Sequence, residues 1–79
     1  MSDENEISRC VRKALDGYFK DLNGEKAHGV YDLVLNCVEK PLLEAVLHKY
    51  KGNQSHAALA LGINRNTLRK KMKQHGIRG

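Results

Sequence analysis

Apolar residues recur every three or four positions through the first third of the chain. Because an α-helix repeats every 3.6 residues, this spacing predicts one amphipathic helix, with charged residues on its opposite side. The residues on the apolar side are Ile7, Val11, Ala14, Leu15, Tyr18, Phe19 and Leu22. Asn23-Gly24 follows and supplies a residue that can adopt the left-handed conformation common at helix ends. No segment alternates apolar and polar residues as a strand would, so we predict an all-α fold.

The next segment, from about Gly29 to Tyr50, is apolar on more than one side. Its apolar residues are Val30, Leu33, Val34, Leu35, Cys37, Val38, Leu42, Leu43, Ala45, Val46 and Leu47. Three other short helices cannot cover so much apolar surface, whereas a second copy of the chain can. We therefore predict that residues 7–50 form the core of an intertwined homodimer. The predicted interface residues are Val11, Leu15, Tyr18, Leu33, Val34, Cys37, Val38 and Leu42.

Pro41 interrupts this second helix. Proline lacks a backbone N–H, and its ring clashes with the carbonyl four residues earlier, here that of Cys37. Apolar periodicity continues from Leu42 to Leu47 without turn residues. We therefore predict a kink at Pro41, with a break into two short helices as the alternative.

Residues 51–79 have the pattern of a helix-turn-helix, which makes four predicted helices in all. Asn53 is a good N-cap for a helix over residues 54–61, and Asn64 for a last helix over about residues 65–75. Between them, glycine at position 62 can adopt the positive φ of a tight turn.

Small and large apolar residues have different predicted roles in the helix-turn-helix. Ala57 and Ala58 are small where the two helices are expected to cross. Leu68 and Met72 are four residues apart and are predicted to anchor the last helix on the core. The residues left to project outward are Arg65, Asn66, Thr67, Arg69, Lys70 and Lys73.

Charge is divided unevenly along the chain. The net charge is +5, from 14 basic and 9 acidic residues, and Glu44 is the last acidic residue. Residues 1–44 carry 6 basic and 9 acidic side chains, whereas residues 45–79 carry 8 basic side chains and no acidic one. Such a segment repels itself unless a polyanion is nearby, so it indicates a partner-binding surface. A solvated basic tail is the alternative.

The outward residue types favour duplex DNA as this partner. Arginine can chelate guanine O6 and N7 in the major groove, and asparagine can pair with adenine. At the start of the penultimate helix, Asn53 and Ser55 are placed to hold a phosphate. Lys51, Lys71 and Lys73 can add charge contacts to the DNA backbone.

Other functions find little support in the sequence. The four histidines have no paired spacing to a cysteine, so no metal site is expected. Cys10 and Cys37 form neither a disulfide scaffold nor a C-x-x-C motif, and we predict that they are small core residues. No phosphate loop or nucleophile elbow is present, so we expect neither an enzyme nor a cofactor. The N-terminus lacks an export signal, and no apolar run is long enough to span a membrane.

Five motifs along the chain are together typical of one protein family. They are Tyr18-Phe19 through Leu22-Asn23-Gly24, Tyr31-x-Leu33-Val34-Leu35, Glu39-x-Pro41-Leu42-Leu43, Gly52-Asn53-Gln54 and Gly62-Ile63-Asn64-Arg65-x-Thr67-Leu68-Arg69-Lys70-Lys71. Through these motifs nearly the whole chain, from about Ile7 to Ile77, resembles the Fis family of bacterial nucleoid-associated DNA-bending proteins. The resemblance implies a homodimer that presents two helix-turn-helix units closer together than one DNA turn, so that the DNA must bend. It also implies degenerate sites with A/T-rich centres, read largely through groove width and deformability.

The resemblance also implies roles for individual residues. The main recognition residues would be Asn64, Arg65, Thr67, Arg69 and Lys70. Ser55 stands where the family more often has threonine, and Asn66 where glycine is familiar. The implied protein is a cytoplasmic, nucleoid-associated transcriptional regulator whose partners are double-stranded DNA, a second copy and RNA polymerase.

One family property is not carried over. Members that stimulate DNA inversion touch a recombinase through an N-terminal β-hairpin arm. Here only six residues precede Ile7, too few for two paired strands, and we expect them to form a short, disordered acidic leader. Contact with a recombinase is therefore not expected.

Two other interpretations remain open. NtrC-class transcriptional activators share this helix pair and a similar dimer, so the segment could be the DNA-binding module of such a protein. Alternatively, the chain could be a helical interaction module whose basic face binds an acidic protein. Competition by random duplex DNA would distinguish that module from a DNA-binding protein.

Overall fold

A computed structural model describes residues 5–78 of the chain. Within these residues it contains four helices and no strand, which confirms the predicted all-α fold. The helices are α1 (Glu6–Leu22), α2 (Val30–Lys49), α3 (Gln54–Leu61) and α4 (Arg65–Gln74). The chain divides into two compact units, one ending at Val34 and the other beginning at Leu35.

Helix α1 is defined by side-chain and backbone caps. The Asn5 side chain accepts a hydrogen bond from the backbone N–H of Ser8 at 2.9 Å, so the helix begins at Glu6, one residue earlier than predicted. Asn23 ends it with φ of +51°, as expected for a left-handed cap. The rest of the acidic leader, residues 1–4, lies outside the described residues. No residue of α1 is fully buried, although Val11, Leu15, Tyr18 and Leu22 are half-buried.

Helix α2 runs without interruption through Pro41. The alternative of two short helices separated at this proline is therefore wrong. The missing N–H removes one hydrogen bond, while the remainder of the 20-residue helix retains its own. The predicted kink stays a prediction.

The second unit is built around one small apolar core. Its fully buried members come from α2, α3 and α4, and they are Leu43, Leu47, Ala57, Ala58, Leu68 and Met72. Around them pack the half-buried side chains of Val46, Leu61, Ile63 and Ile77. The expectation that small alanines lie where helices cross and that Leu68 and Met72 anchor α4 is confirmed.

Local caps set the geometry of the helix-turn-helix. Asn53 accepts a hydrogen bond from the backbone N–H of His56 at 3.0 Å, and Asn64 accepts one from Asn66 at 2.7 Å. Gly62 has φ of +76°, the conformation predicted for the turn between the helices. These caps fix where α3 and α4 begin, and therefore which side chains of α4 face the core.

Helix α2 has a second apolar face that the core of the second unit leaves uncovered. Leu43 and Leu47 are buried, whereas Leu35, Val38 and Leu42 are 47%, 38% and 47% exposed. These three exposed residues, called here the open face of α2, lie three and four positions apart, on one side of the helix.

The two cysteines were expected to be small core residues. Within the single chain, Cys10 and Cys37 are both exposed free thiols, so neither belongs to the core that one chain forms by itself. Their neighbours on α1 and α2 are themselves partly or fully exposed, so no core surrounds them.

Candidate nucleic-acid interface

Helix α4 presents a continuous polar surface opposite its buried side. Leu68 and Met72 hold the buried side against the core. The predicted recognition residues are all exposed, and they are Asn64, Arg65, Asn66, Thr67, Arg69, Lys70 and Lys73. We call this set the α4 surface. A helix so anchored can enter a groove with its outward side chains while the core keeps its backbone fixed.

The α4 surface is strongly positive. Four of its seven residues, Arg65, Arg69, Lys70 and Lys73, are basic, and helix α4 contains no acidic residue. No acidic residue follows Glu44 in the sequence, so the rest of the helix-turn-helix does not offset this charge. The surface therefore favours a polyanion over a neutral ligand.

The amino end of α3 supplies two further predicted contact residues, Asn53 and Ser55, both exposed. The side-chain oxygen of Asn53 accepts from His56 and serves as the helix cap. Its side-chain NH₂ group is a donor suited to a phosphate oxygen. The cap and a phosphate contact are therefore compatible at this residue.

Ser55 and Arg65 are joined although they lie ten positions apart in sequence. The Arg65 Nη1 atom donates a hydrogen bond to Ser55 Oγ at 3.2 Å. The turn between α3 and α4 thus brings a predicted phosphate-contacting residue beside a predicted base-contacting residue.

Lys71 differs from the other predicted contact residues. It is half-buried, and its ammonium nitrogen lies 2.7 Å from Glu39 Oε2 in α2. The second Glu39 oxygen lies 2.8 Å from His75 Nε2. Lys71 thus forms an ion pair with the Glu39 carboxylate of the same unit and is not part of the α4 surface.

The Glu39 contacts were missed at the sequence level, although a signal for them existed. Leu68, Lys71, Met72 and His75 follow the i, i+3, i+4, i+7 spacing of one helix side. Lys71 and His75 therefore flank the buried stripe of α4 and need a polar partner there. What the sequence could not reveal is that Glu39, 32 positions before Lys71, provides it.

The contacts that Glu39 makes with Lys71 and His75 contribute a pH-dependent stabilisation to the second unit. Hydrogen bonds from Lys71 and from His75 hold the pKa of the Glu39 carboxyl below its ordinary value of 4.5. A carboxyl with a lowered pKa stabilises the fold above its unfolded-state pKa, and that contribution is lost as the pH falls through the folded-state pKa. The stabilisation by the ionised Glu39 carboxylate is therefore present near neutral pH and lost in strong acid.

We expect the variant Glu39→Gln to be less stable than the wild type by about 1 kcal/mol at about pH 6, a modest value because the pair is partly exposed to solvent. In strong acid, below the lowered pKa of the Glu39 carboxyl, the difference should largely disappear, because the wild-type carboxyl is then protonated. Urea denaturation at both pH values measures this. Glu44→Gln, an exposed substitution on the same helix, serves as the control. An equal loss at both pH values would contradict the assignment.

Among residues 5–78, no three histidine, cysteine, aspartate or glutamate side chains are grouped so that they could hold a metal ion. None of the helices in this part of the chain has the length and apolarity needed to cross a membrane.

Comparison with known proteins identifies the family. The model of the bacterial regulatory protein family Fis matches residues 35–75, the part of the chain that contains most of α2 and the complete helix-turn-helix. The chain belongs to the Fis family. The matched residues include the core and the whole α4 surface, so the helix-turn-helix predicted from sequence is the family's own.

Individual relatives extend the likeness beyond the matched segment. A Fis-like DNA-binding protein of Neisseria meningitidis serogroup A is 60% identical over 72 residues, 91% of each chain. One from Ralstonia nicotianae is 58% identical over 73 residues, 92% of this chain and 95% of its own. The DNA-binding protein Fis of Escherichia coli is 52% identical over 67 residues, 85% of this chain and 68% of its own. All three relatives bear the names of DNA-binding proteins.

Proposed function

We propose that this Fis-family protein binds and bends duplex DNA as a homodimer, and that it acts as a nucleoid-associated transcriptional regulator in the bacterial cytoplasm. The α4 surface carries the proposal: exposed arginine, lysine and asparagine side chains on a helix whose opposite side is locked to a core. Double-stranded DNA is the polyanion that such a helix fits, because the major groove is wide enough to admit it.

Contacts within one helix-turn-helix divide into two kinds. Arg65, Asn66 and Arg69 lie on α4 and carry the donors that can read base edges. Asn53 and Ser55, at the amino end of α3, are placed to hold a phosphate and so set the position of α4 along the duplex. Lys70, Lys73 and Thr67 complete the contact set, with Asn64 at the helix cap.

The second copy of the chain would cover the open face of α2. This face is apolar and exposed, whereas Leu43, Val46 and Leu47 of α2 pack in the core with residues of α3 and α4. A dimer joined through α1 and α2 presents two α4 helices to one duplex. If these helices lie closer together than one DNA turn, the DNA must bend for both to engage, which favours deformable sites with A/T-rich centres.

Regulation of transcription follows from binding beside promoters, with RNA polymerase as a candidate partner. No cofactor is required for this function, because neither groove reading nor bending forms or breaks a covalent bond. The recombinase contact of some family members is not part of the proposal.

We expect the protein to shift an A/T-centred duplex in a gel and to bind it about tenfold more weakly for each doubling of salt, if about four phosphates are neutralised. A fluorescence-transfer assay with dyes at the two duplex ends should report shortening on binding. Random duplex DNA should compete, more weakly than the preferred site. Binding that is independent of salt, or not competed by DNA, would instead favour an acidic protein as the partner.

A further inference from the structure

We propose that Ser55 is a positioning residue for Arg65: its hydroxyl holds the guanidinium in the orientation that reads guanine. This inference rests on the proposed DNA-binding function and adds a role for a residue otherwise assigned to the phosphate backbone. The observation that carries it is the hydrogen bond from Arg65 Nη1 to Ser55 Oγ, 3.2 Å long.

Both backbones at this contact are fixed by the core. Ser55 is the second residue of α3, and the buried Ala57 and Ala58 hold that helix in place. Arg65 is the first residue of α4, which Leu68 anchors three positions later. The distance between the two Cα atoms is therefore set by the fold, and only the side chains can move.

The two side chains differ in flexibility. Serine has one rotatable bond before its hydroxyl, whereas an exposed arginine loses considerable rotamer entropy when it is held in one place. Ser55 thus offers a nearly stationary acceptor, and the guanidinium of Arg65 is the group that becomes ordered. Ordering before DNA arrives reduces the entropy lost on binding.

The donor and acceptor counts permit both roles at once. A guanidinium has five N–H donors, and one donated to Ser55 leaves four, of which two suffice to chelate guanine O6 and N7. The Ser55 hydroxyl accepts from Arg65 and still has its own O–H to donate to a phosphate. Ser55 would then contact a DNA phosphate and Arg65 at the same time. The position of the protein along the DNA backbone would thereby be linked to the orientation of the Arg65 guanidinium.

A positioning role has a signature that a phosphate contact lacks. Losing a phosphate contact weakens binding to all sequences by a similar factor, because phosphates carry no sequence information. Losing the orientation of Arg65 weakens binding chiefly where the correct guanine is present. The discrimination between sites therefore separates the two roles.

The experiment uses the full chain and a preferred duplex in which each guanine in turn is replaced by 7-deazaguanine, which lacks the N7 acceptor. The guanine whose replacement weakens the wild type but not Arg65→Ala is the one that Arg65 reads. For that guanine, we expect Ser55→Ala to reduce the affinity ratio between the normal and the replaced duplex by about three- to tenfold, the range of one hydrogen bond. Ser55→Thr, which keeps the hydroxyl, should restore the ratio.

The other outcomes are informative as well. Ser55 is exposed, so unchanged circular dichroism and thermal unfolding of Ser55→Ala should exclude misfolding. If Ser55→Ala weakens all duplexes equally and keeps the ratio, Ser55 is a phosphate contact only and the inference is overturned. If the wild type binds DNA but no guanine replacement matters, the inference fails while the proposed function stands. If the wild type binds no duplex, the proposed function itself fails.

Discussion

Replacing Leu68 by alanine is expected to lower the free energy of unfolding by about 2–5 kcal/mol. The Leu68 side chain has no exposed surface and lies among residues of α2, α3 and α4. Alanine removes its contacts and leaves a cavity that three helices, joined by short connections, can close only in part. Because a domain of this size has only about 5 kcal/mol of stability or little more, a loss at the upper end of this range would leave much of the protein unfolded.

The matched control is Leu59→Ala in the same helix-turn-helix. Leu59 is 79% exposed, so its truncation should change stability by no more than about 0.5 kcal/mol. Urea denaturation followed by circular dichroism compares both variants with the wild type. All three proteins should be measured at one protein concentration, since association of chains adds to apparent stability. Similar losses for the two variants would show that Leu68 is not the centre of the core.

The elements governed by local chemistry could be predicted closely from the sequence. Asn53 and Asn64 each cap a helix with their own side chain, and Gly62 adopts the positive φ that its lack of a Cβ permits. Such features depend on a few neighbouring residues, so the bounds of α3 agree with the prediction and the start of α4 does too. The side of α4 that faces solvent follows from helical periodicity in the same way.

Contacts between distant residues could not be predicted in this way. Glu39 reaches Lys71 and His75 across 32 and 36 positions, and Ser55 reaches Arg65 across a turn. These pairs depend on how the helices pack, which periodicity does not determine. Lys71 was predicted to contact the DNA backbone from its charge alone. In the structure its ammonium group is paired with the Glu39 carboxylate.

The surplus of apolar residues on α2 connects the predicted fold with the proposed assembly. The sequence indicated more apolar surface than one short chain can bury, and in the structure Leu35, Val38 and Leu42 are about half exposed. Burying such a stripe against its counterpart would contribute about 25 cal/mol for each Å² removed from water, and this gain must exceed the entropy lost when two chains associate. This face is therefore where a substitution should change association without disturbing the core.

Replacing Leu42 by glutamine is expected to dissociate the dimer and weaken binding to a preferred duplex by about 10²- to 10⁴-fold. Glutamine is a good helix former and carries no charge, so neither α2 nor the field around the α4 surface should change greatly. A monomer has only one helix-turn-helix. It therefore lacks the high effective concentration that a second helix-turn-helix, linked to the first in the dimer, would provide. Sedimentation at micromolar concentration should report a dimer for the wild type and a monomer for Leu42→Gln.

Leu59→Gln makes the same chemical change at an exposed leucine outside the open face of α2. It should sediment as a dimer, which separates a specific interface from a general effect of surface hydrophobicity. DNA bending provides the second measurement. A monomer has a single α4 helix, which can enter the major groove without bending the duplex. A monomeric Leu42→Gln that still bent DNA and bound it tightly would refute bivalent binding. A wild type that is itself a monomer would leave the exposed stripe of α2 without the partner proposed for it, and would remove the reason for the DNA to bend.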